Sequence, residues 1–129
     1  MTAQAQVIDQ ELERLDSLWE DGLSDMYGSF LDAVGSYDPG VQPKLALAAA
    51  LIESGIRLQG LGGPAAPAAA LLMGDLCLAR ASRLLADTAH QGLQIAFARA
   101  IEEMSAAAAS GDAARPVRDL LLGAFESER

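Results

Sequence analysis

The stretch Leu45-Ala46-Leu47-Ala48-Ala49-Ala50-Leu51-Ile52-Glu53-Ser54-Gly55-Ile56-Arg57-Leu58-Gln59 decides the fold. Ala and Leu, the strongest helix formers, make up most of it. Leu45, Leu47, Leu51, Ile52, Ile56 and Leu58 surround a helix drawn through these residues on nearly every side. A helix on a protein surface keeps one wet face, so one that is apolar all round is buried in a core or between chains. Glu53 and Arg57 interrupt it four residues apart, with the acid first, the order that favours an ion pair along a helix. The predicted helix starts at Val41 or Pro43 and runs to Gln59.

On its N-terminal side, Gly35-Ser36-Tyr37-Asp38-Pro39-Gly40 has the composition of a turn. Before it, Ile8, Leu12, Leu15, Trp19, Leu23, Met26, Phe30 and Val34 recur every three or four residues from about Gln4 to Val34. That spacing makes one apolar stripe, on one helix or on two bent at Gly22. Asp9, Glu11, Glu13, Asp16, Glu20, Asp21 and Asp25 lie mostly off the stripe and form a solvated acidic face.

On the C-terminal side, Gly60-Leu61-Gly62-Gly63-Pro64 breaks the chain. A long helix is expected from about Ala65 to Ala86, with Pro67 in its first turn, where a missing N–H costs nothing. Ala68 to Gly74 has no polar side chain, and Asp75, Arg80 and Arg83 arrive only later. Thr88 and Gln91 have the spacing of a capping box for a fourth helix running to about Ala109. Its stripe is Leu93, Phe97, Ile101 and Met104. A short last helix covers Pro116 to Phe125. The expected architecture is an all-α helical bundle in one domain over residues 1–129. It comprises an amphipathic segment (1–36), a helical block (41–109) and a C-terminal helix (within 114–127). Two consecutive helices more apolar than a small bundle needs point to an interface with another chain.

The net charge is −9 and Lys44 is the only lysine. Nucleic-acid binding needs clustered Lys and Arg, so that class of function is excluded. Acidity also disfavours anionic membrane surfaces. The longest uncharged stretch, Leu58 to Gly74, is broken by glycines and prolines and is no membrane span. The first residues carry no basic stretch followed by an apolar run, and a cytoplasmic location is expected. The single cysteine, Cys77, rules out an internal disulfide and sits in an apolar run, as a small buried hydrophobe does.

Candidate chemistry is sparse. His90 is the only histidine and has no nucleophile beside it in any local motif. Glu20, Asp21 and Asp25 could in principle hold Mg²⁺, but they lie on the exposed side of an amphipathic helix with no basic cluster to cradle a phosphate. The glycine-rich turn at 60–63 lacks the Lys-Ser/Thr of a phosphate loop. No catalytic residue and no metal ligand of the chain's own is expected.

Leu72-Met73-Gly74-Asp75-Leu76-Cys77-Leu78-Ala79-Arg80-Ala81-Ser82-Arg83-Leu84-Leu85-Ala86 resembles a segment of the trans-isoprenyl diphosphate synthases, where a similar Gly-Asp stretch opens a long helix. Ile101-Glu102-Glu103-Met104 resembles that family's next helix. Ile52 to Gln59 falls where those enzymes lead into their first Asp-Asp-x-x-Asp motif. The aspartates that bind Mg²⁺ would then fall at about Gly60, Leu61 and Pro64, where this chain has none. Without carboxylates for metal or cations for pyrophosphate, ionisation of an allylic diphosphate has no electrostatic support.

The resemblance, over about Val41 to Ala109, is to the small, non-catalytic, regulatory subunits of heterodimeric bacterial hexaprenyl and heptaprenyl diphosphate synthases. It implies a truncated isoprenoid synthase fold and a large catalytic partner subunit that carries the Mg²⁺ and the substrates. It implies a role in setting prenyl chain length for a quinone side chain, and possible self-association without the partner. Leu72, Met73, Leu76 and Cys77 would lie at the subunit interface or the tunnel end, and Leu84 at the interface; plain intrachain core fits their spacing equally well. Asp75 would be a buried helix-to-helix acceptor, with Arg57 as a conceivable donor. Two alternatives stand beside this reading: a stand-alone or homodimeric helical interaction module, and an enzyme of another type centred on Glu20, Asp21 and Asp25.

Overall fold

The computed structural model describes residues 16–60, 66–111 and 116–128. Among them there are helices and turns and no strand. A wide helical turn, Trp19–Leu23, leads into α1 (Ser24–Ala33); then follow α2 (Gln42–Gln59), α3 (Ala68–Thr88), α4 (Gln91–Ser110) and α5 (Val117–Ser127). The all-α expectation holds for these residues.

The N-terminal stripe is bent at Gly22, whose φ of 133° leaves the helical region. Beyond the bend the stripe works as its spacing implies: Leu23, Phe30 and Val34 are buried and Met26 packs against them. Before it, Trp19 has turned outward and is 41% exposed, its ring resting on Tyr27 at 5.5 Å between centroids. Ile8, Leu12 and Leu15, and the acids Asp9, Glu11 and Glu13, lie outside the described residues.

Helix α2 is the axis of the molecule. From Leu45 to Ile56 every residue except Leu47 is buried, Glu53 and Ser54 included. Pro43 sits in its first turn and Gly60 closes it in the left-handed conformation at φ 62°. Each fully buried Leu or Ile here contributes about 1.5–3 kcal/mol relative to exposure. Its all-round apolarity is used up by neighbours in the same chain.

Helix α3, the second of the two helices whose surplus apolarity points to an interface, is covered far less than α2. Only Gly74, Cys77, Ala81 and Leu85 are buried, a narrow stripe three and four residues apart. That stripe packs on α2 at very close range. A Cβ on Gly55 would lie 3.0 Å from the carbonyl oxygen of Gly74 and 3.2 Å from Cβ of Cys77. One on Gly74 would lie 2.9 Å from the carbonyl oxygen of Gly55 and 2.6 Å from Cγ of Gln59. The two helices touch backbone to backbone, and only glycine fits on both sides.

The start of α4 differs from the capping-box expectation. Thr88 is the last residue of α3, and its hydroxyl donates to the Leu85 carbonyl at 2.7 Å. Ala89 turns the chain in the left-handed region at φ 56°. The N-cap is His90, whose Nδ1 accepts from the Leu93 amide at 3.1 Å. The acceptor competes for the same orphan N–H that a serine or threonine cap satisfies. Pro67 likewise precedes α3 as its N-cap rather than lying in its first turn.

Helix α5 closes the bundle. Val117, Leu120, Leu121, Ala124 and Phe125 face inward. The Phe125 ring is the hub of an aromatic cluster, 5.1 Å from Phe97, 6.0 Å from Tyr37 and 6.3 Å from Phe30. The Tyr37 hydroxyl donates to the Phe125 carbonyl at 2.7 Å and ties the turn after α1 to this helix.

Two alanine substitutions test the close crossing. Gly123 lies on α5 with nothing within 4 Å of its would-be Cβ, so Gly123→Ala is expected to stabilise by about 1 kcal/mol through helix propensity. At Gly74 the same gain is outweighed by overpacking against a backbone oxygen, which costs about 1–3 kcal/mol. Urea denaturation of both variants checks this. A higher midpoint for Gly74→Ala would remove the argument for a backbone-limited crossing.

Candidate functional site

Three features of the surface and interior could carry function. The first is the outer face of α3 near its start. Leu72 is 62% exposed and Leu71 42%. They are two of the four large exposed hydrophobics among the described residues, with Trp19 and Ile95. They are exposed because the buried stripe of α3 is made of small residues, which lets the helix lie so close to α2 that its leucines on the far side have nothing to cover them.

The expected interface residues are thereby separated. Leu72 faces outward. Met73, Leu76 and Leu84 are half-buried, with Met73 and Leu84 packed against the core. Cys77 is wholly enclosed within the chain at the α2–α3 crossing. Burial pushes its thiol up to about 11 from an ordinary value of 9.0. Of the positions where the resemblance would put metal-binding aspartates, Gly60 is the C-cap of α2, while Leu61 and Pro64 lie outside the described residues.

Asp75 is exposed rather than buried. It does bridge helices, but its Oδ1 accepts from Nε2 of Gln59 at 2.7 Å, and Arg57 is not its partner. The reason is the same close crossing: with glycine at 74, the end of α2 lies against the next turn of α3, so the donor that reaches Asp75 comes from the last residue of α2.

The second feature is a buried ion pair that sequence reasoning missed. Glu53 is fully buried on the central helix. Arg118 of α5 clasps it with two hydrogen bonds, Nη2 to Oε1 at 2.7 Å and Nε to Oε2 at 3.1 Å. The guanidinium also donates to Oγ of Ser29 at 2.8 Å and stacks over the Phe30 ring at 4.6 Å. Arg57, the partner expected four residues on, is a looser neighbour at 3.8 Å with its side chain 64% exposed. The planar fork of Arg118 matches a carboxylate in a way one exposed contact cannot. A buried acid inside an apolar helix was the available signal that a cation must come from elsewhere; its position 65 residues away was not readable.

The third feature is a groove of about 470 Å³ between the Trp19–Leu23 turn, α2 and α3. Leu23, Leu47, Leu51 and Leu84 form its apolar floor, while Asp16, Arg80, Arg83 and Asp87 surround it. Among the described residues, no three His, Cys, Asp or Glu side chains are grouped so as to hold a metal ion, Glu20, Asp21 and Asp25 included. No helix of the described residues is long and apolar enough to cross a membrane. Comparison of the chain with protein-family models, with curated proteins and with solved structures finds no match.

Two measurements follow from this geometry. Arg118→Leu leaves Glu53 buried without its clasp and is expected to cost about 3–5 kcal/mol, whereas Glu53→Leu combined with Arg118→Leu recovers most of it. A single-variant loss within the 0–1 kcal/mol or so of a surface pair would show that Glu53 finds water or Arg57 instead. The Cys77 thiol, with a folded-state value near 11, is about one part in a thousand thiolate at pH 8. Iodoacetamide should leave it unmodified until the chain unfolds. Because the folded value lies above the unfolded one, this thiol lowers stability as pH rises from about 9 toward 11. Rapid alkylation of the folded protein at pH 8 would contradict its enclosure.

Proposed function

We propose that the chain is a non-catalytic, regulatory small subunit of a two-component all-trans polyprenyl diphosphate synthase. It pairs with a large subunit that carries the aspartate-rich motifs, the Mg²⁺ and the diphosphate substrates, and it helps to set prenyl chain length for a quinone side chain. Its helices α2, α3 and α4 correspond, in this reading, to a truncated isoprenoid synthase fold.

The observation that carries the proposal is the exposure of Leu71 and Leu72 on a helix whose inner face is already satisfied. Bare leucines on an ordered helix, beside an otherwise closed core, are what a protein–protein contact uses as its anchor. Leu72 opens the Leu72–Ala86 segment that carries the family resemblance, and Leu71 immediately precedes it. The retained Gly-Asp pair, Gly74 and Asp75, has a structural task in this chain that needs no substrate: one allows the helix crossing and the other binds Gln59 across it.

A second reading, a stand-alone or homodimeric helical interaction module without prenyl chemistry, is favoured by one specific observation. Helix α2 is covered within the chain from Leu45 to Ile56, Leu47 excepted, so the core needs no partner to be complete.

Co-expression with a large subunit bearing two Asp-Asp-x-x-Asp motifs distinguishes them. The proposal expects co-purification and a change in product length, and expects Leu72→Glu to abolish both while the isolated variant keeps its helical content and unfolding midpoint. Unchanged activity and product length on mixing, with no complex formed, would refute it.

A further inference from the structure

The 470 Å³ groove has one wall of unusual construction. Asp16 and Trp19 stand on it before the bend at Gly22, and Leu23 stands after it. Gly22 is not there to save space, since a Cβ would meet nothing within 4 Å. Its value is its φ of 133°, a conformation that residues with a Cβ rarely adopt. The turn in front of α1 is thus joined to it through one glycine outside the helical region, the kind of position that absorbs a hinge motion, while the Ser24 N–H still donates to the Trp19 carbonyl across it. Across the groove stand Arg80 and Arg83 of α3, with Asp87 beside them; the wall contributes Asp16, and Glu20 and Asp21 belong to the same turn without lining the groove.

We propose that Gly22 is a hinge and that the turn bearing Asp16 and Trp19 is a movable wall of this groove, drawn toward α3 by attraction between its acids and the arginines opposite and released when that attraction is screened. Trp19 is the part of the wall that reports the movement. It is the only tryptophan, it is half-exposed at the groove, and its ring rests on Tyr27 on the other side of the bend. Drawn in, the wall narrows the groove over Leu51 and Leu84; released, it uncovers them. This device is independent of the subunit reading above, which rests on the opposite end of α3.

The test uses the intact chain and its single tryptophan. The screening length falls from about 30 Å at 10 mM salt to about 3 Å at 1 M. Over that range, Trp19 emission is expected to shift to the red and acrylamide quenching to increase, with far-UV circular dichroism unchanged. Arg83→Gln should move the low-salt spectrum toward the high-salt one. Gly22→Ala, which disfavours the bend, should remove the salt response. Identical emission and quenching at both salt concentrations would overturn the proposal, as would a full salt response retained in Gly22→Ala. If Gly22→Ala does not fold, Arg83→Gln decides: an unaltered low-salt spectrum overturns the proposal.

Discussion

The close crossing of α2 and α3 is the constraint on which the rest of this structure depends. Gly55 and Gly74 let two backbones meet where a Cβ at Gly74 would collide and one at Gly55 would be tightly pressed. The consequence for α2 is enclosure from Leu45 to Ile56, Leu47 excepted, with α3 on one side and α1 and α5 on others. The consequence for α3 is the reverse. A helix seated on glycine, cysteine and alanine hides little of its own circumference, so its leucines at 71 and 72 are left outside. One packing decision therefore produces both the closed core and the uncovered apolar surface.

A second interaction sets where α5 docks. An acid fully buried on the central helix must be met by a cation with good geometry, because an uncompensated buried charge costs several kcal/mol. Arg118 supplies it with a two-pronged contact and donates from Nη1 to Ser29 of α1. The pair links three helices at one point. Apolar packing around Phe125 alone would tolerate sliding of α5 by a turn; the guanidinium does not, since only one register brings it to Glu53.

How much of this was legible in the sequence varies by element. The burial of α2 was plain from leucines and isoleucines on all sides of its wheel, and the bend at Gly22 from a glycine set in an unbroken stripe. The behaviour of α3 was not. Ala68 to Gly74 is uniformly apolar, and hydropathy does not say which of its sides is turned inward; the small-residue spacing of Gly74, Cys77 and Ala81 was the usable clue, because close approach selects for size rather than hydrophobicity. The capping of α4 misled for a similar reason. Thr88 is a good cap by type, but it is the last residue of α3 and the left-handed Ala89 separates it from α4, leaving His90 to take the role. Glu53–Arg118 joins residues too distant along the chain for any local pattern to pair. Asp75 kept its place in the helix-to-helix contact and changed only its partner and its exposure.

In functional terms the chain reads as a self-sufficient bundle with an unspent apolar surface at one end of α3, and the proposed regulatory subunit would engage its catalytic partner through that surface. The most direct measurement of this asymmetry is amide hydrogen exchange on the isolated protein, which reports local opening element by element. The account predicts the slowest exchange across residues 45–56 of α2, strong protection through Cys77–Leu85 of α3, and a clear fall in protection toward Ala68–Leu72. Protection of Leu71 and Leu72 equal to that of Cys77–Leu85 would contradict it, because it would mean that the start of α3 opens no more readily than the part seated on α2.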